Sequence, residues 1–168
     1  MIVSLDVDYQ YNRANTACLV FSEWNSVMPS NSYTSITNNI PPYESGQFYK
    51  RELPCLLNVL EKVTERIDVI VVDGYVWLGE DRKGLGAYLY ESLYQEVPVV
   101  GVAKRIFYGA KDVAVEVLRG ESQNPLWVTA AGMSAHIAAE HISAMSGDYR
   151  IPTLLKSTDS LCRQWSIF

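Results

Sequence analysis

The stretch DVIVVDG, residues 68–74, decides the fold of this chain. It is a nearly continuous β-branched run, which predicts a strand buried on both faces, as in a parallel or mixed sheet covered by helices. Asp73 and Gly74 end the run, so a carboxylate lies at the carboxyl end of a buried strand. In open sheets of this type, ligands bind at the carboxyl ends of the strands. The stretch therefore predicts both a layered architecture and a functional position.

Apolar periodicity places further elements on both sides of this strand. Strands are predicted over residues 1–9, 14–22, 33–36 and 97–105, with a strand or loop entry over 125–132. Helices are predicted over residues 48–66, 84–94, 111–119, 134–145 and 153–165. A hairpin followed by alternating strands and helices is typical of an α/β fold with a mixed sheet. We expect one domain covering residues 1–168.

Composition excludes several classes of protein. With 168 residues, of which 48% are hydrophobic and 20% charged, the chain can bury a full core. It has no apolar run of about 18 to 20 residues and no basic-then-apolar leader, so we expect a cytoplasmic protein with no membrane partner. The three cysteines lack CxxC spacing, which argues against a zinc knuckle or a disulfide framework. The net charge of −5 means that nucleic acid would need a local basic surface or a metal.

Three carboxylates are candidates for a metal site: Asp6, Glu52 and Asp73. Asp6 and Asp73 lie in or at the end of apolar strands, where a charge is costly unless a cation neutralises it. Magnesium and manganese prefer oxygen ligands, so this set suits phosphodiester chemistry. The alternative for Asp6 is an ordinary carboxylate at a strand edge. Asp8 is expected on the same face as Asp6, because side chains alternate along a strand.

Five segments occur in the order known from one family. They are LDVDY (5–9), PYESGQFYKRE (42–52), VVDG (71–74), PVVGVAKR (98–105) and YRIPTLLKSTD (149–159). Together they resemble endonuclease V, a family of metal-dependent nucleases with a ribonuclease H-like fold that act beside deaminated purines. The resemblance covers nearly the whole chain and indicates a short, divergent member.

The resemblance implies roles for the residues that match the family's motifs. Asp6, Glu52 and Asp73 would hold Mg²⁺ (or Mn²⁺). Lys104 would hold the scissile phosphate or orient the attacking water, and Asp159 would contact a metal through water or position that water. The alternative for Lys104 and Asp159 is a solvent-facing side chain. Six further residues are predicted to bind substrate: Pro42, Tyr43, Gly46, Arg51, Gly74 and Arg105.

The chain departs from the family where the base would be read. Glu44 and Ser45 follow the Pro-Tyr pair, where the family has an apolar residue and a proline. The segment YVWL (75–78) replaces a segment with His and Gly that lines the base pocket in the family. The resemblance therefore implies metal-dependent cleavage more firmly than it implies recognition of inosine.

Two functions follow from these residues. The first is a divalent-metal-dependent endonuclease that hydrolyses phosphodiester bonds in DNA or RNA, near deaminated, inosine-type bases. The second is a catalytically weak module that binds nucleic acid or a partner and retains the fold. Glu44, Trp77 and the acidic composition favour the second.

Overall fold

The computed structural model describes residues 1–165 and consists of a large sheet between two layers of helices. The strands are β1 (Ile2–Gln10), β2 (Arg13–Phe21), β3 (Asn31–Thr37), β4 (Val69–Asp73), β5 (Trp77–Gly79), β6 (Arg82–Lys83), β7 (Val99–Ala103), β8 (Val115–Val117) and β9 (Leu126–Ala131). The helices are α1 (Phe48–Leu60), α2 (Leu85–Ser92), α3 (Ala135–Ala144) and α4 (Thr153–Cys162), with one 3₁₀ turn at Tyr108–Ala110.

Seven strands form one mixed sheet in the order β3-β2-β1-β4-β7-β9-β8. The central strands β1, β4 and β7 run parallel, and the outer pairs are antiparallel. Strand β4 contains the β-branched run of residues 69–72, and Ile70, Val71 and Val72 are all buried. The expected mixed α/β sheet is confirmed, with the β-branched run at its centre.

Helices cover both faces of this sheet. On one face, α1 and α2 pack on a cluster that includes Leu5, Val20 and Val72. On the other face, α3 and α4 pack on a cluster that includes Leu19, Val71 and Val100. Burial on both faces explains why β4 is apolar throughout rather than alternating. Within residues 1–165, no helix combines the length and the apolar character that crossing a bilayer requires.

The predicted helix over residues 111–119 is wrong. Residues 115–117 form β8, which pairs with β9 at the sheet edge. Val115 and Val117 face the protein while Glu116 faces solvent, so the segment alternates with a period of two. Val113 and Val117 also fit a helical spacing of four, but the β-branched side chains of the valines favour the strand.

Two predicted helices also end earlier than expected. Helix α1 ends at Leu60 rather than at residue 66, and α4 ends at Cys162 rather than at residue 165. Beyond Leu60 the backbone forms tighter three-residue turns, in which Lys62 and Val63 donate to Val59 and Leu60. The hairpin of β5 and β6 was not predicted, because its strands contain only three and two residues.

Candidate active site

The parallel pairing of β1 and β4 brings Asp6 and Asp73 together. Leu5 pairs with Val72, so the next residues of the two strands, Asp6 and Asp73, lie side by side. Ser4, two residues before Asp6, bonds to Thr158 of α4, so this face of β1 looks toward that helix. Asp8 lies on the same face and accepts a hydrogen bond from Trp165. The expected orientation of Asp8 is confirmed.

Glu52 approaches the same two carboxylates from helix α1. The residue is 6% exposed, and one of its carboxylate oxygens, Oε2, is buried without a hydrogen-bond partner in the described residues. Next to it in sequence, the Arg51 guanidinium lies 4.2 Å from the centre of the Tyr9 ring. Arg51 therefore packs beside Glu52 and against β1. A buried carboxylate with an unsatisfied oxygen is costly.

Lys104 and Asp159 complete the cluster. Lys104 follows β7, and its Nζ lies 3.6 Å from Oδ2 of Asp73. Asp159 projects from α4, where its Oδ1 accepts a hydrogen bond of 2.9 Å from Nε of Arg163. The five side chains that the sequence assigned to catalysis thus come from four elements and one loop. They converge at the carboxyl ends of the central strands.

One member of this cluster was not predicted. The Sγ atom of Cys162 and one carboxylate oxygen each from Asp6 and Asp159 lie within 4.8 Å of one another. Cys162 is fully buried. It follows Asp159 by three residues on a helix, a spacing that places two side chains on one face. That spacing was the signal present in the sequence, but on its own it does not distinguish a site from ordinary packing.

The carboxylates raise one another's pKa. Burial, followed by repulsion from Asp73, raises the pKa of Asp6 to about 7. Burial is the largest cause that raises the pKa of Glu52, to about 8, and repulsion from Asp6 and from Asp73 adds to it. The pKa of Asp73 is also raised by desolvation, and the neighbouring Lys104 opposes this effect. Negative charge is therefore only partly compensated here by the chain's own cations.

A cleft of about 830 Å³ adjoins Asp73. Its walls carry six aromatic side chains from five segments: Tyr43, Phe48, Tyr49, Tyr75, Tyr88 and Phe107. Arg82 and Lys83 add positive charge. Of the six residues predicted to bind substrate, Tyr43, Gly46 and Gly74 line this cleft, whereas Pro42 and Arg105 do not. Arg51 instead packs on Tyr9.

The bulky segment after β4 does not fill this cleft. Val76 is fully buried, and the Trp77 indole donates to the carbonyl of Ala130. Only Tyr75 and Leu78 of this segment line the cleft. The Tyr75 hydroxyl donates to the Arg105 carbonyl at 2.6 Å and accepts from the Phe107 amide at 2.8 Å. Tyr75 therefore links the loops that follow β4 and β7.

Gly101 of β7 allows this segment to pack closely on the sheet. A Cβ atom at this position would lie 2.5 Å from the Gly74 carbonyl oxygen and 2.8 Å from the Val76 amide nitrogen. We expect Gly101→Ala to lower the free energy of unfolding by about 1–3 kcal/mol, as overpacking does. Denaturant unfolding measures this change. Gly79→Ala is the milder control, because its Cβ would lie 3.3 Å from its nearest atom. Equal stability of the two variants would contradict the close packing.

Comparison with known proteins identifies the family. The family model described as Endonuclease V matches residues 1–133, which is most of the chain. This chain belongs to the endonuclease V family. An endonuclease V from Trichormus variabilis is 25% identical over 178 residues, covering 95% of this chain and 78% of the relative. One from Streptomyces coelicolor is 28% identical over 141 residues, covering 73% of this chain and 60% of the relative.

Solved endonuclease V structures share the fold. The enzyme from Ciona intestinalis, in complex with a 24-mer DNA containing an inosine followed by a ribo-adenosine, superposes with a TM-score of 0.80 at 19% identity. The match covers 96% of this chain and 83% of that one. The protein from Streptomyces avermitilis gives a TM-score of 0.73 at 22% identity, covering 96% and 79%. The expected ribonuclease H-like fold is confirmed.

Proposed function

We propose that this member of a nuclease family is an endonuclease that uses Mg²⁺ or Mn²⁺ to hydrolyse phosphodiester bonds in DNA or RNA. The observation that carries the proposal is the convergence of Asp6, Glu52 and Asp73 at the carboxyl ends of the central strands, where Oε2 of Glu52 is buried with no hydrogen-bond partner among residues 1–165. Such an arrangement is costly in the absence of a cation. A divalent ion removes that cost.

The donor atoms fit the proposed ions. All three side chains offer carboxylate oxygens, the ligands that Mg²⁺ and Mn²⁺ prefer. A site with few protein ligands leaves room for water and phosphate oxygens. When bound, such an ion supplies Lewis-acid stabilisation of the charge that develops on the phosphoryl oxygens.

Lys104 and Asp159 would act directly on the reacting groups. Lys104 is a compact positive charge at the same edge as Asp73, so its ammonium can hold a phosphate oxygen of the scissile group. Asp159 has one carboxylate oxygen bonded to Arg163, and its other oxygen can accept a hydrogen bond from the attacking water. These two residues would then place the phosphate and the water relative to each other.

The aromatic cleft beside Asp73 supports nucleic acid as the substrate. Its aromatic rings offer stacking surfaces for bases, although Tyr49 and Tyr88 already stack on each other with centroids 3.7 Å apart. Stacking contributes about 1–3 kcal/mol per base. Because both hydrogen-bonding positions of the Tyr75 hydroxyl are engaged by the backbone, Tyr75 presents its ring to the cleft. The inosine in the DNA bound by the Ciona protein makes a deaminated base the first substrate to test here.

A binding module without efficient catalysis is the second candidate function. Arg163 bonds to Asp159 and approaches Oδ1 of Asp8 at 3.6 Å, while Lys104 approaches Asp73. Cations from the chain itself thus occupy part of the acidic cluster. In this alternative, these ion pairs would take the place of a metal, and the cleft would bind nucleic acid or a partner without cutting it.

Thermal unfolding in the presence of Mn²⁺ separates the two functions. We expect Mn²⁺ to raise the melting temperature of the chelator-treated protein, because an ion that binds only the folded state stabilises it. Asp6→Asn is the control and should abolish the shift. A flat titration of the intact chain would favour the binding module.

Cleavage assays on four substrates then define the specificity. The cleavage rates should be compared, with Mg²⁺ or Mn²⁺, on deoxyinosine-containing DNA, inosine-containing RNA, flap DNA and single-stranded DNA. We expect metal-dependent cutting of at least one of them. Equal cleavage rates on strands that differ only in carrying inosine or guanine would exclude recognition of the deaminated base. Such a result would still support the nuclease activity.

A further inference from the structure

A second set of metal-ligating atoms overlaps the proposed active site. The carboxylates of Asp6 and Asp159 converge with the Cys162 thiol, and their ligand atoms lie within 4.8 Å of one another. Asp6 and Asp159, though not Cys162, also line a cavity of about 240 Å³ between the sheet and α4. A sulfur among oxygen ligands changes the preferred metal, because thiolates favour softer ions such as Zn²⁺ over Mg²⁺.

The surroundings of the thiol favour a cation. Carboxylate oxygens of Asp6 and Asp159 lie within 4.8 Å of the Cys162 sulfur. Asp6 also faces Glu52, which is 6% exposed and whose Oε2 has no partner within residues 1–165. The side chain of Arg163 is 64% exposed and bonds to Oδ1 of Asp159, which leaves Oδ2 of that carboxylate for an ion. The nearest cation to Oδ2 is Lys156 at 3.9 Å, and its side chain is 68% exposed.

We propose that Asp6, Asp159 and Cys162 form a site for a thiophilic divalent cation of the Zn²⁺ or Cd²⁺ type. Three protein ligands and one water complete the four positions that Zn²⁺ prefers. In the absence of an ion, the Cys162 thiol donates to the Asp159 carbonyl at 3.1 Å. Binding forms a sulfur–metal bond, and the thiol proton passes to solvent.

Occupation of this site has a consequence for the proposed reaction. Asp6 cannot serve a thiolate-bound Zn²⁺ and the Mg²⁺ of the active site in the same way, and Asp159 would lose its contact with the attacking water. A thiophilic ion should therefore inhibit cleavage, and excess Mg²⁺ should only partly relieve the inhibition. This consequence rests on the proposed function, whereas the binding of the ion does not.

Cd²⁺ is the direct probe, because its bond to a thiolate produces a charge-transfer absorbance in the ultraviolet. We expect the chelator-treated full chain to show this absorbance with a stoichiometry of one. Cys162→Ser should abolish the absorbance and weaken Cd²⁺ binding, by more than the about ten- to hundredfold typical of losing a residue that only hydrogen-bonds a ligand. Cys162→Ala is the second variant, and the circular dichroism of each variant shows whether it is folded. Asp159→Asn, which keeps the thiol, should weaken Cd²⁺ binding as well.

Two other cysteines provide the matched controls. Cys18 and Cys55 are buried like Cys162, and Cys55 lies close enough to Glu52 for the charges to interact. Cys18→Ser and Cys55→Ser should both retain the absorbance. No absorbance in the folded intact chain, or loss of the absorbance in Cys55→Ser, would overturn the proposal. Cd²⁺ absorbance without cleavage activity in Mg²⁺ would sustain this site and reject the nuclease assignment, so the two failures are distinguishable.

Discussion

Asp73→Ala is expected to abolish metal-dependent cleavage while the chain remains folded. Asp73 lies beside Asp6 at the carboxyl edge of β4 and pairs with Lys104, so its loss removes one proposed metal ligand and frees the lysine. Removal of one pre-arranged hydrogen-bond donor from an active site typically costs about 10²–10³-fold in rate, and the loss of a metal ligand should cost no less. The rate of cleavage of the best substrate, measured at saturating Mn²⁺, should fall by at least that factor.

The fold should tolerate this substitution. Asp73 repels Asp6 and Glu52, so removing its charge relieves repulsion, and the variant should unfold at no lower temperature than the unsubstituted metal-free chain. Asp112→Ala is the matched control, because Asp112 is exposed and outside the cleft. Its cleavage rate should not change. Undiminished cleavage by a folded Asp73→Ala variant would reject the role of this carboxylate.

The centre of the fold was predictable because it depends on a strong local pattern. The β-branched run of β4 predicts a strand buried on both faces, and this strand places Asp73 at its carboxyl end. The pairing of β1 with β4 then brings Asp6 beside it. The segment 111–119 was not predictable in the same way. Val113 and Val117 fit a helical spacing of four, whereas the three valines together fit a period of two, and the pairing with β9 stabilises the strand.

Individual residues of the candidate site could be predicted from the sequence, but the cleft that they adjoin could not. Motifs identified Lys104 and Asp159, which lie far apart in sequence. The aromatic cleft could not be predicted from the sequence, because its rings come from segments that meet only in the folded chain. Cys162 was assigned to no site, although its spacing from Asp159 was visible. A single helical spacing of three has too many ordinary explanations without the strand that faces it.

The metal-free protein should lose stability as the pH rises from about 4.5 to 8. The pKa of Glu52 is raised in the folded chain to about 8, from an ordinary value of 4.5. Between these values the folded state holds a proton that the unfolded state has released, so rising pH favours unfolding. Asp6 acts in the same direction up to about pH 7. The full penalty, reached above pH 8, is on the order of a few kcal/mol.

Chemical denaturation at a series of pH values, with a chelator present, measures this slope. Glu52→Gln should reduce this slope, because the amide carries no charge and only the contribution of Asp6 remains below about pH 7. The substitution should also make the metal-free chain more stable than the unsubstituted one at pH 8. Glu65 and Asp68, whose pKa values are lowered by their partners, contribute only at lower pH and leave this window undisturbed. Saturating Mn²⁺ should also remove the slope in the unsubstituted chain, because a bound cation keeps the carboxylates ionised in the folded state. If stability instead rose with pH in the metal-free chain, the carboxylates would already be compensated by the protein, and no cation would be required to hold them together.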